Sequence, residues 1–251
     1  MNSRFEMMTA IYNDTKNEKF DYAVQPWGAT EPHNYHLPYM TDCYLSHDLS
    51  VDAVIKAYEK QKVKGMVLPV IHLGSQNPGQ RELPFCLHAG YETQKAILSD
   101  IVSSLNYQGV HKLVIVNGHG GNSFKNMVRD LAVQYPDFLI VISNLFAIVP
   151  QAGYFEEKDD HAGEMETSMM MHYHPELVNL SVAGDGASKP FSAESLREGI
   201  GWTPRNWAKV SHDTGIGNPK KSTAEKGRKY ADVVSRKLSE LFIDVAKESI
   251  Y

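Results

Sequence analysis

The run at residues 112–116, K-L-V-I-V, passes without a break into Asn117-Gly118-His119-Gly120-Gly121-Asn122, and a helical pattern follows over 123–134. A short apolar run bounded by glycines reads as a buried strand. The same alternation recurs along the chain. Residues 22–27, 66–71 and 138–146 read as further strands, and 46–62, 91–105, 161–174 and 222–250 as helices. Strands alternating with helices predict an α/β fold with a largely parallel sheet. Pro69 stands inside the 66–71 run, where a central strand disfavours proline. Ser222 or Thr223 can cap the last helix, and Glu225 fits a capping box from Ser222. The 251 residues carry no repeat and no evident linker, so 1–251 is read as one domain.

In open α/β sheets, sites form beyond the carboxyl ends of the strands. Three polar clusters fall there. The first, Trp27 to Asp42, reads W-G-A-T-E-P-H-N-Y-H-L-P-Y-M-T-D and holds Glu31, His33, His36 and Asp42. Pro32 discourages helix at Glu31, so Glu31 and His33 point to one side of an extended segment. Carboxylates and imidazoles in one short stretch suit a divalent ion such as Zn, Mn or Fe. His119 in N-G-H-G-G-N is the second cluster. This motif lacks the Lys-Ser/Thr of a phosphate loop and the spacing of G-x-G-x-x-G. The third is His161-Ala-Gly-Glu164-Met-Glu166-Thr-Ser168. Glu164 and Glu166 cannot share a helical face, so one can reach a metal while the other holds a supporting partner. Each cluster alone also reads as ordinary structure: a polar loop, a tight strand-to-helix turn, an acidic helix start.

The loop at 72–90 is long and carries His72, Ser75 and His88, and Ser75 and His88 are expected substrate contacts. Cys43 and Cys86 make no disulfide framework and read as small buried hydrophobes. A net charge of −5 gives no footprint for nucleic acid, and no run of eighteen apolar residues predicts a membrane span. Residues 1–19 lack the apolar core of a secretory signal, so cytoplasm is the expected location.

The motifs resemble the creatininase (creatinine amidohydrolase) family. The matching pieces are G-A-T-E-P-H at 28–33 with His36-Leu37-Pro38 and Thr41-Asp42, N-G-H-G-G-N at 117–122 and H-A-G-E-M-E-T-S at 161–168. A fourth is T-G-I-G at 214–217 with Pro219 and T-A-E-K-G at 223–227. The resemblance implies a three-layer α/β/α enzyme with two divalent metals per chain, assembled as a homohexamer. It also implies that Glu31, Asp42 and His119 hold one metal, and that His33 and a bridging Asp42 hold the second. In creatininase the remaining carboxylate of the second metal lies two residues beyond the motif histidine. Here that position is Gly121, so Glu164 is the expected replacement. His161 resembles the family's proton-shuttling residue. The segment R-E-L-P-F-C-L-H-A-G at 81–90 also departs from the family's usual run. The family includes deformylases and peptide-processing enzymes. The expected reaction is hydrolysis of a C–N amide bond, linear or cyclic, in a small molecule, by a water shared between the metals. Hydrolysis of another bond, such as an ester, and a non-catalytic small-molecule binder are the alternatives.

Overall fold

Four strands, all parallel, form one sheet in the order β2-β1-β3-β4. In the computed structural model, which describes residues 4–249, β1 is Tyr22–Trp27, β2 Gly65–Val67, β3 Lys112–Asn117 and β4 Leu139–Asn144. The helices are α1 (Tyr12–Thr15), α2 (Thr41–Gln61), α3 (Tyr91–Tyr107), α4 (Lys125–Gln134), α5 (Glu164–Tyr173), α6 (Glu194–Arg197), α7 (Trp207–Val210) and α8 (Ala224–Lys247).

Side chains alternate across a pleated strand, so each central strand feeds two cores. On β3, Leu113 and Ile115 pack with Leu98 and Val102 of α3 and with Met127 and Leu131 of α4. Val114 and Val116 pack with Leu45 and Leu49 of α2, Met169 and Met170 of α5, and Val234 and Leu238 of α8. Helices therefore cover both faces, and the architecture is three-layer α/β/α. The 165–170 methionines belong to the core, as flexible side chains that fill irregular gaps do.

Three of the differences from the expectation have a clear local reason. β2 stops at Val67, because Pro69 has no N–H to offer the ladder. Pairing with β1 resumes at an isolated bridge between Trp27 and Ile71. α2 starts at Thr41 rather than near residue 46. Its first turn buries Thr41 and Asp42, polar residues to which a hydrophobic period is blind. α8 is capped by Thr223, whose Oγ1 accepts from the Lys226 amide at 3.2 Å. Ser222 instead reaches the Glu164 carbonyl and Glu225 pairs with Lys229, so the capping box from Ser222 does not form.

β1 has β2 on one side and β3 on the other, so chain connections leave in opposite directions between β1 and β3. A crevice opens there at the carboxyl ends. The segment after β1 supplies residues 28–42, that after β2 the loop at 68–90, that after β3 His119, and that after β4 the turn into α5.

Candidate active site

Six buried or nearly buried side chains meet in that crevice: Glu31, His33, Asp42, His119, His161 and Glu166. Two three-residue groups share Asp42. In the first, His119 Nδ1 lies 2.8 Å from Glu31 Oε1 and 3.0 Å from Asp42 Oδ2. In the second, His33 Nε2 lies 3.0 Å from Asp42 Oδ1 and 4.0 Å from Glu166 Oε2. One carboxylate thus turns one oxygen to each group.

The rings are oriented from behind by backbone carbonyls. His33 Nδ1 is 3.0 Å from the Glu31 carbonyl, His119 Nε2 2.7 Å from the Ser75 carbonyl and His161 Nε2 2.9 Å from the Pro32 carbonyl. A carbonyl can only accept, so each of these nitrogens carries the proton. The other nitrogen of each ring then presents a lone pair to the carboxylates. Lone pair against carboxylate is repulsive unless a cation lies between them, either a proton or a metal. A histidine anchored through its second nitrogen is the usual arrangement at a metal. Asp42 Oδ2 is buried and has no hydrogen-bond partner, with His119 Nδ1 3.0 Å away. The donor set of carboxylate oxygens and imidazole nitrogens fits a divalent ion of the Zn or Mn type.

The electrostatics follow from burial and this crowding. Burial opposes the charged His33 ring, but the Asp42 carboxylate outweighs it and lifts the pKa to about 10. His119 is raised in the same way, against burial, by Glu31 and Asp42. Burial also opposes ionisation of Glu31 and Asp42, and the facing rings outweigh it and hold both below the usual carboxylate range. Glu166 is pushed up to about 8 by burial, against the pull of His33. His161 moves the other way. Burial, and then the His33 ring with its centroid 4.2 Å away, lower its pKa. Among the described residues no lysine or arginine pairs with Glu31, Asp42 or Glu166, so the positive charge facing these carboxylates is carried by protonated histidine rings or by a bound cation.

Local structure explains which glutamate arrives. Asp42 and Glu166 both sit in a helix first turn, where the macrodipole favours a carboxylate. Ala162 adopts φ 55, a left-handed turn that swings the chain from His161 into α5. Its amide then donates to Glu166 Oε2 at 2.6 Å. Asp159 caps the same turn, accepting from the amides of Gly163, Met165 and Glu166.

The structure brings together Glu31, His33, Asp42, His119 and His161 as expected from sequence, but not Glu164. Glu164 is turned to α8, where its Oε1 meets Lys226 Nζ at 2.5 Å and its Oε2 accepts from the amides of Glu156 and Glu157, both at 2.8 Å. It is a buried carboxylate fully occupied elsewhere, and Glu166 takes the position expected of it. Ser75 lines the cavity over the cluster. His88 does not: it is exposed, and its Nδ1 accepts from the Gln76 amide at 3.0 Å. His36 is buried behind the site against Thr167 and is kept neutral by burial and by the His33 charge, which lower its pKa to about 4.

Gly121 has its own physical reason. A Cβ there would stand 2.1 Å from the Ser75 carbonyl oxygen and 2.5 Å from His119 Nε2. Any side chain would part those two atoms, so a carboxylate at this position and the Ser75–His119 hydrogen bond exclude each other. Gly121→Ala is expected to lower metal affinity about 10–100-fold, the usual cost of disturbing the support of a ligand. Metal titration of the variant tests this, and unchanged affinity would contradict it.

Sequence reasoning missed Gln80, which is 1 % exposed. Its Nε2 donates to Glu31 Oε2 and its Oε1 accepts from the Asn77 amide. A neutral glutamine in a loop carries no signal of such a role. The cavity above the cluster has a volume of about 910 Å³, and residues 202–205 and Trp207 form one wall.

The sequence profile of the creatininase family, described as creatinine amidohydrolase, matches residues 6–242. A crystal structure from Bacteroides fragilis NCTC 9343, provisionally named a creatinine amidohydrolase, is 56% identical, with a TM-score of 0.98 and coverage of 100% of both chains. A mutant creatininase of Zn-Zn type has a TM-score of 0.74 at 21% identity, covering 90% of this chain and 91% of the other. The mycofactocin precursor peptide peptidase of Mycobacterium ulcerans (strain Agy99) is 29% identical over 224 residues, 86% of this chain and 82% of that protein.

Proposed function

Because the chain belongs to the creatininase family of metal-dependent amidohydrolases, we propose that it hydrolyses a C–N amide bond, linear or cyclic, in a small molecule or short peptide, with two divalent ions per chain. The observation that carries this reading is Asp42, with Oδ1 toward His33 and Glu166 and Oδ2 toward Glu31 and His119. Glu31, Asp42 and His119 would hold one ion, and His33, Asp42 and Glu166 the other. When bound, a pair of divalent ions supplies a water of lowered pKa and polarises the substrate carbonyl. Gln80 keeps Glu31 from rotating by holding its second oxygen. His161 presents Nδ1 to the cavity edge, 3.8 Å from Glu31 Oε1, and is neutral at neutral pH. That nitrogen can accept a proton and pass it to the departing amine. The peptidase relatives support peptide-like amides among the substrates.

The test is a panel of amides, esters and phosphoesters assayed with Zn, Mn and Fe. Turnover confined to amides is the expected result, turnover confined to another bond would replace the reading, and binding without turnover would reduce the protein to a binder. A closed homohexamer is the proposed assembly, consistent with the symmetry of soluble oligomers. Light scattering on micromolar protein checks it, and a monomer would contradict it.

The choice between the two glutamates gives a sharper expectation. Glu166→Gln should leave about one ion per chain, since the second group then keeps two protein ligands. Glu164→Gln should keep both ions and lower thermal stability, because it loosens the contact between α5 and Lys226 of α8. Metal analysis with the reverse pattern would restore Glu164 as the ligand.

A further inference from the structure

The cavity over the cluster is lined by many acids and by one arginine, Arg205, with no lysine among its lining residues. Arg205 is held by its surroundings. Its guanidinium stacks over the Trp207 ring, 4.9 Å from the centroid. Trp207 is 5% exposed, is tied by its indole N–H to the Thr214 carbonyl at 2.9 Å, and meets the His161 ring edge-on at 5.3 Å. An indole therefore fixes the distance between this cation and the candidate proton-transfer histidine. The protein partner of Arg205 is Asp160, whose Oδ2 lies 2.6 Å from Nη2. Asp160 is exposed at 55%, so that ion pair is weak and exchangeable. The remaining N–H groups of the fork have no protein acceptor among the described residues. A stacked guanidinium with donors to spare matches a carboxylate in two-point fashion better than an ammonium would.

Resting on the amidohydrolase reading, we infer that Arg205 anchors a carboxylate of the substrate, so that the enzyme acts on amides carrying an acid group about one indole's breadth from the reacting carbonyl. Asp160 occupies the fork until substrate arrives and then yields it. Beside the acidic walls of the cavity, Arg205 gives an anionic ligand a place to dock away from them. The cavity volume of about 910 Å³ leaves room for a substrate of dipeptide size. Trp202, 86% exposed on the same wall, adds an aromatic surface at the rim.

The experiment compares N-acetylglycylleucine with its C-terminal amide, titrated calorimetrically into zinc- or manganese-loaded protein. The acid is expected to bind at least about tenfold tighter, a difference of about 1.4 kcal/mol. Arg205→Gln should bring the two within about threefold, and Arg205→Lys should keep part of the preference, since charge remains and the fork is lost. A carboxylate that simply coordinates the metals would give a preference surviving in Arg205→Gln, and that result overturns the proposal. Equal affinity in the wild-type protein, or no binding of either probe at millimolar concentration, also overturns it. Amine release measured in the same samples reports separately on the hydrolase reading. An Arg205-dependent preference without turnover keeps the anchor and removes the hydrolase.

Discussion

Asp42→Ala leaves the protein without either ion and with turnover lowered at least about a thousandfold, equivalent to roughly 4 kcal/mol of transition-state stabilisation. The expectation rests on geometry. Asp42 is 2 % exposed, its Oδ1 is 3.0 Å from His33 Nε2 and its Oδ2 is 3.0 Å from His119 Nδ1. Among the described residues Asp42 is the carboxylate that sets one oxygen within 3.0 Å of each of these two rings. Losing it removes a ligand from each group at once, whereas Glu31→Gln or Glu166→Gln removes a ligand from one. The residue also stabilises two buried rings, so circular dichroism must establish that the variant folds before its metal content is read. A folded Asp42→Ala protein with two ions per chain would end the bridging assignment.

His161→Ala has the second-largest expected effect, and it is of a different kind. Both ions and the fold stay, while kcat falls by about 10²–10⁴, the usual contribution of a positioned acid–base group. KM changes less, because the lost interaction belongs to the transition state. The Nε2–H of His161 is engaged with the Pro32 carbonyl, which leaves Nδ1 as the working nitrogen. Burial and the His33 ring disfavour the charged form, so its pKa lies below the ordinary 6.5. The proton-accepting form exists above that pKa. Wild-type turnover should therefore fall as pH drops through a value below 6.5, and this acid limb should be missing from His161→Ala. Glu31, His33 and His161 also sit close enough to form a ligand group, which makes metal content the discriminating measurement. Loss of an ion would make His161 a ligand, and near-full turnover would remove its role in proton transfer.

The cluster was legible in the sequence where its residues follow strands directly. Glu31, His33 and Asp42 lie just past β1 and His119 lies two residues past β3, so the parallel-sheet rule already gathers them. The choice between Glu164 and Glu166 was not legible. Both stand in the first turn of α5, and which one faces inward depends on the left-handed turn at Ala162 and on Lys226 of α8, far away in sequence. The first turn of α2 was missed because the site makes it polar and buried, against the hydrophobic pattern that marks a helix. Gln80, in a single 3-10 turn, and Arg205, in an irregular segment, act through tertiary contacts, and neither composition nor periodicity singles them out. His88 was expected at the site from its loop alone, and the loop turns it outward to bind the Gln76 amide.

Anomalous diffraction from crystals of the zinc- or manganese-loaded protein tests the central claim most directly. Two peaks are expected. One should lie within about 2.0–2.2 Å of Glu31, Asp42 and His119 donor atoms, and the other at the same range from His33, Asp42 and Glu166. A single peak, or a second peak beside Glu164 rather than Glu166, would contradict the two-ion centre proposed for this chain.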